Sequence, residues 1–253
     1  MKQNIKFTNT SGYSDLLKPV PAYTMVPDWY KQTESYLGGD KKPGGTGGTR
    51  ATIKRCMPVF DAIAAGYLIL SPADIWVSIK ESIVVNEQTM EPVEGEEPVE
   101  GEPGIRDQHF EWSALDLISF HPIEQAPLHP AKNEFSYPKW KNHWSIETPK
   151  GYSIQIVQPM HRDSVFTIMP GVVDTDKYTS PINFPMVIND PNFEGLIPKG
   201  TPIAQIIPFK RESWQMEIGK ESDIVNQGNV TFELQTKFYD RYKDMFRTIK
   251  EYK

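Results

Sequence analysis

Turn-forming residues punctuate the chain between Ser145 and Pro208, at Pro149-Lys150-Gly151, Pro170-Gly171, Asp190-Pro191-Asn192 and Pro198-Lys199-Gly200, with short apolar runs between them. Proline removes a backbone donor and resists regular structure, so the stretch reads as short strands joined by tight turns, the pattern of a small barrel or sandwich. The whole chain shares this character: 22 prolines and 17 glycines among 253 residues predict a mainly β fold. With 38% apolar and 24% charged residues it can build one large core or two modest ones.

The single cysteine, Cys56, rules out an internal disulfide and cysteine-rich zinc sites. No stretch approaches the roughly 20 apolar residues of a membrane span, and Met1–Ser11 lacks the apolar centre of a signal peptide. A soluble, unprocessed protein is expected. The formal charge of −6 argues against nucleic acid as a partner, because phosphate neutralisation needs clustered Lys and Arg.

Three segments are predicted. Residues 1–50 read as an N-terminal arm, carrying Trp29 and Tyr30 among prolines, followed by a Gly-rich loop from Gly38 to Thr49. That loop is no P-loop, since Gly48 is followed by Thr49 and Arg50 rather than by Lys. Residues 51–228 form the core, in which Ser71-Pro72-Ala73-Asp74 divides one apolar stretch into two elements. An insertion near 86–107 includes the repeated acidic EPVEGE, a solvated hairpin tip or an acidic contact for a basic partner. In residues 229–253, Phe238, Tyr242, Met245, Phe246, Ile249 and Tyr252 recur at three- and four-residue steps between basic residues, the pattern of an amphipathic helix.

Familiar catalytic patterns fail in turn. His161-Arg162-Asp163 would need a later histidine to serve an iron site, and the histidines end at 161. A kinase would need an Asn five residues on and a later D-F-G, and neither is present. No H-e-x-x-H or G-x-S-x-G occurs, and Cys56 has no base nearby in sequence.

Four pieces occur in a distinctive order: Thr148-Pro149-Lys150-Gly151-Tyr152, Gln158-Pro159, Pro170 to Tyr178, and Ile197-Pro198-Lys199-Gly200-Thr201-Pro202-Ile203-Ala204-Gln205-Ile206-Ile207. Together with Ala64-Ala65-Gly66-Tyr67 upstream, this order resembles the trimeric dUTPase and dCTP deaminase superfamily, discontinuously from about Asp61 to Phe209. The resemblance implies a β-clip barrel and a homotrimer. For a nucleotide hydrolase it implies Asp174 as the water-activating carboxylate and Tyr178 beneath the sugar. It also implies Arg162, with Arg50, on the phosphates, Gln205 in the pocket, and magnesium bridging the phosphates; otherwise no cofactor is expected.

Departures from that pattern weaken the catalytic reading. The dUTPases carry an Asp after the aromatic residue of the first motif, where this chain has Leu68. Their Arg-Ser-Ser or Arg-Ser-Gly phosphate grip is replaced by Met160-His161-Arg162-Asp163-Ser164 after Pro159, and Lys177 lengthens the Asp174-to-Tyr178 spacing by one residue. Their glycine-rich C-terminal flap is missing. The deaminase glutamate aligns with Met186. Catalytic groups act as a unit, and a partial set loses most of its rate.

The block Thr52-Ile53-Lys54-Arg55-Cys56-Met57-Pro58-Val59-Phe60-Asp61 is similar to proteins of tailed bacteriophages and large aquatic viruses. The expectation is therefore a non-catalytic viral structural or assembly protein on a dUTPase-like fold, in the virion or the host cytoplasm, contacting other viral structural proteins. Trp29, Tyr30, Phe238, Tyr242 and Phe246 are its candidate interface residues. A diverged deoxynucleotide pyrophosphatase is the alternative, and a nucleotide-binding sponge without turnover a third class.

Overall fold

The computed structural model describes residues 3–14, 16–39, 43–44, 48–49, 51–78, 104–107, 117–121, 137–190, 193–220 and 242–253. The chain forms two compact units, Met1–Val20 with Gly66–Arg211, and Pro21–Ala65 with Glu212–Lys253. Residues 6–9 pair as a strand with Trp144–Glu147, whereas 21–39 belong to the second unit. No helix among the described residues is long and apolar enough to cross a membrane.

The first unit is built of short antiparallel strands. Its largest sheet runs, in spatial order, Gly171–Val173, Tyr152–Val157, Pro202–Lys210, Tyr67–Leu70 and Val20–Pro21. A second sheet orders Phe166–Ile168, Phe184–Ile188, Tyr137–Trp140 and Ile118–His121, and a third orders Glu194–Ile197, Ile75–Ser78 and Gly104–Asp107. Successive side chains of a strand point to opposite faces. Ile154 and Ile156 therefore enter the core while Gln155 between them stays exposed. The core gathers Ile69, Ile75, Ile146, Trp140, Phe166, Phe184 and Ile206, with Trp140 and Phe166 rings 5.6 Å apart. Closure into one barrel would need ladders joining these sheets, and none is present among the described residues.

The turn expected at residues 71–74 is present and is tied to a second one. Ser71 N–H donates to the Thr201 carbonyl, Gly200 N–H donates to the Ser71 carbonyl, and Lys199 N–H donates to Asp74 Oδ1. Met186 and Leu68 are both fully buried.

The second unit holds the helices Asp28–Gln32 and Met57–Ala64. Pro58 sits in the first turn of the latter, where its missing N–H costs no helical hydrogen bond. Tyr30 is buried beside Phe60, ring centroids 5.8 Å apart, and its hydroxyl donates to the Lys54 carbonyl. In the Gly-rich run, Pro43–Gly44 and Gly48–Thr49 pair as a minimal antiparallel ladder.

Within the described residues 242–253, the tail does not form the amphipathic helix that its spacing predicts. Tyr242–Phe246 forms a single π turn, closed by Arg247 N–H donating to the Tyr242 carbonyl, and residues 247–253 are not helical. The i+5 bond widens and ends the turn, and Arg247 and Lys250 both reach the Asp61 carboxylate instead. Residues 229–241, Phe238 included, lie outside the described residues, as do Arg50 and the acidic repeat at 91–104.

Candidate functional site

The Pro149-Lys150-Gly151 turn places Gly151 at φ +88°, a left-handed backbone that other residues resist. This geometry directs Gly151 N–H at Asp176 Oδ2, 2.9 Å away, and lets the Gly151 carbonyl accept from Arg211 N–H. After the strand Gly171–Val173, the chain turns tightly, and the Asp174 carbonyl accepts from both Lys177 and Tyr178 N–H. Thr148 and Thr175 hydroxyls meet at 2.7 Å and join the two turns.

Between them lies an ion-pair cluster. Arg211 Nη1 donates to the Tyr152 carbonyl, to Ser153 Oγ at 2.9 Å and to Asp176 Oδ1 at 2.9 Å, while Nη2 pairs with Asp176 Oδ2. Ser153 Oγ donates to Asp174 Oδ1 at 2.6 Å, and Arg211 Nη1 approaches the same oxygen at 3.0 Å. The Arg211 hydrogen bonds and the Gly151 N–H hold the Asp176 carboxyl at a pKa of about 2. Asp174 is also held below its ordinary value, first by the Ser153 hydroxyl and also by the Arg211 charge. Its side chain is half exposed, and that of Asp176 is almost fully covered.

Of the residues singled out in the sequence, Asp174 and Tyr178 share this turn, both about half exposed. Arg162 and Gln205 lie elsewhere. Gln205 is fully buried, in register with Leu68 and Val157, and its Oε1 accepts from Met160 N–H at 2.9 Å. Gln158 Oε1 accepts from Ile168 N–H, so both glutamines brace the loop that carries Arg162. His161 in that loop has φ +55°, a strained backbone for a residue with a Cβ. Burial lowers the Arg162 pKa.

Ser153 contacts Asp174, and Val157 pairs with Gln205, on one strand. Four residues of strand span about 13 Å. Within one chain, the carboxylate cluster and the loop of Arg162 therefore sit toward opposite ends of this strand.

A carboxylate held ionised by two donors is a weak proton acceptor, which makes Asp174 a poor base for water in this arrangement. Among the described residues, no three His, Cys, Asp or Glu side chains gather where a metal ion could be held.

The candidate interface residues divide. Tyr30 is a core residue of the second unit, which corrects its assignment as partner-facing: its ring packs on Phe60 and its hydroxyl is taken by a backbone carbonyl. Trp29, Tyr242 and Phe246 are exposed at 40%, 42% and 53%. More exposed still are Trp214 at 87%, Met216 at 85% and Ile218 at 84%. They alternate with Ser213, Gln215, Glu217 and Gly219 in a segment outside every sheet. The apolar residues recur with a period of two, but residues 211–220 form no strand.

No protein-family model matches the chain, and no curated protein does. Among solved structures, a mutant dUTPase of Staphylococcus bacteriophage 80alpha, determined with dUpNHpp, matches at 11% identity. The match spans 88% of this chain and 92% of that one, with a TM-score of 0.34.

Proposed function

We propose that this chain is a non-catalytic structural or assembly component of a virus particle, working as a homo-oligomer, a trimer, and contacting other structural proteins of that particle. One observation carries the assembly reading: Trp214, Met216 and Ile218 are each more than 80% exposed to solvent. Burying one such side chain contributes roughly 1.5–3 kcal/mol, and large exposed apolar patches mark interaction surfaces. A second copy of the chain is the occupant that turns this liability into an interface. The viral setting rests on the resemblance of the Thr52–Asp61 block, and the trimer on the resemblance of the strand motifs.

The absence of turnover is supported by the engagement of Asp174 with Ser153 and Arg211, and by the buried Leu68 and Met186 at positions where related enzymes place acids. Sedimentation equilibrium tests the assembly. Wild type is expected as a trimer, and Trp214→Glu combined with Met216→Glu and Ile218→Glu as a monomer; a monomeric wild type at tens of micromolar overturns the reading.

One observation favours the pyrophosphatase reading: Asp174 and Tyr178 are half exposed on a single turn. Its test is pyrophosphate release from deoxynucleoside triphosphates with magnesium. Turnover abolished by Asp174→Asn would establish that reading, and no turnover at high protein concentration would remove it.

A further inference from the structure

Trp140 ends the strand Tyr137–Trp140 in the core of the first unit and is 1% exposed. Ile118 and Phe184 stand opposite it on the two neighbouring strands, and its ring packs on Phe166. These neighbours are apolar. Among the described residues, no acceptor lies within hydrogen-bond reach of its indole Nε1–H. A buried donor left unpaired forfeits its hydration with nothing in return, which is why nearly all buried polar groups find a protein or water partner.

Asn142, two positions on, is 4% exposed and only partly engaged. Its Oδ1 accepts from Trp144 N–H at 3.1 Å, and its Nδ2 donates to the Trp144 carbonyl at 2.7 Å. An amide side chain carries two donor hydrogens and two acceptor lone pairs, so one of each is left over. Trp140 and Asn142 line the same cavity, of about 20 Å³, against an apolar wall that includes Leu16, Ile69, Phe184 and Ile203. A water needs roughly 10–15 Å³ and two to four polar partners. The cavity meets the first condition and has no room for a larger ligand; the two side chains meet the second.

We infer that this cavity is the site of one internal water molecule, which accepts from Trp140 Nε1–H and donates to Asn142 Oδ1. A single oxygen that both accepts and donates satisfies the two groups together. Asn142 already fixes the bend between Trp140 and Trp144 through its two bonds to Trp144. The next residue's carbonyl, that of His143, accepts from both the N–H and the hydroxyl of Thr10. The water thus joins the buried indole to a bend that also holds the N-terminal strand Lys6–Asn9 in place. The site depends neither on the carboxylate cluster nor on the assembly reading.

Two measurements on the full wild-type chain test the inference. A crystal structure at a resolution that orders waters should show one water within about 3.2 Å of both Trp140 Nε1 and Asn142 Oδ1. An empty cavity, or a protein carbonyl within reach of the indole, overturns the site. In solution, magnetisation transfer from water to the Trp140 indole proton should give a cross-peak that reverses sign between laboratory-frame and rotating-frame experiments. That reversal marks a bound water, whereas proton exchange keeps one sign. The Trp144 indole, which donates to the Leu17 carbonyl at 3.2 Å, should give no such peak and is the internal control. Trp140→Phe and Trp144→Phe identify the two signals, and the crystal measurement needs neither variant. No cross-peak at Trp140, or equal ones at both indoles, overturns the inference.

Discussion

Gly66 faces the backbone of Ile206 so closely that a Cβ on Gly66 would lie 2.0 Å from the Ile206 carbonyl oxygen. Gly66 also has φ +66°, so a side chain there meets strain and collision together. The glycine of the Ala64-Ala65-Gly66-Tyr67 motif thus exists to let the chain enter the strand Tyr67–Leu70 against Pro202–Lys210. Gly66→Ala should destabilise the protein by about 3 kcal/mol or more. Gly151→Ala and Gly200→Ala, also at positive φ but with nothing within 4 Å of the added carbon, should cost about 1–2 kcal/mol. Urea unfolding of the three variants checks the ranking, and equal costs would show that contact with Ile206 is irrelevant.

This pairing explains what was legible in the sequence. The strands around Ile154, Ile156 and Ile206 followed from alternation and turn residues, because period-two burial is written locally. The Gly66 and Ile203–Ile207 motifs were visible, but their contact was not, since 140 residues separate Gly66 from Ile206. Arg211 went unnoticed for the same reason: its partner Asp176 is 35 positions away, and no local pattern announces an arginine that closes a turn. Within 242–253 the spacing predicts a helix where the chain makes a single π turn, and the Arg247 and Lys250 contacts with Asp61, 186 and 189 positions away, are invisible to local spacing.

Asp176 gives the fold a defined acid dependence. Its pKa falls from 3.8 to about 2 on folding, so the unfolded chain binds a proton where the folded one does not. The stabilisation is complete above about pH 4 and is lost as pH falls toward 2. Arg211→Gln removes the main cause of the shift. Thermal unfolding followed from pH 6 to pH 2 should show a steeper decline in wild type than in Arg211→Gln, and parallel curves would refute the role of the ion pair.

Neighbouring aromatics Trp29 and Tyr30 should respond in opposite ways. Tyr30→Phe removes the hydroxyl that donates to the Lys54 carbonyl, leaving a backbone acceptor short of a partner; a loss of about 1 kcal/mol in stability is expected. Trp29→Ala deletes a 40% exposed ring whose contact is edge-on to Tyr30, and its stability cost should be smaller than that of Tyr30→Ala. Chemical denaturation of Tyr30→Phe, Trp29→Ala and Tyr30→Ala decides this. A larger loss in Trp29→Ala than in Tyr30→Ala would restore Tyr30 as a surface residue.

Asp61 anchors the tail. Burial alone would raise its carboxyl pKa, but the hydrogen bonds from Arg247 and Lys250 outweigh burial and hold it below the ordinary value. The two partners are not equivalent: the Arg247 side chain is 15% exposed and bonds through Nε and Nη2, while that of Lys250 is 46% exposed and bonds once to the carboxylate. Removing one partner of a covered pair strands the other charge, whereas an exposed pair is screened by water. Arg247→Met should therefore cost about 2–3 kcal/mol of the free energy holding the tail down, and Lys250→Met under about 1 kcal/mol. Amide hydrogen exchange across residues 242–253 reports that free energy directly: protection should fall on the order of thirtyfold or more in Arg247→Met and less than fivefold in Lys250→Met. Equal losses in the two variants would mean that charge alone, and not the covered geometry at Asp61, holds the tail in place.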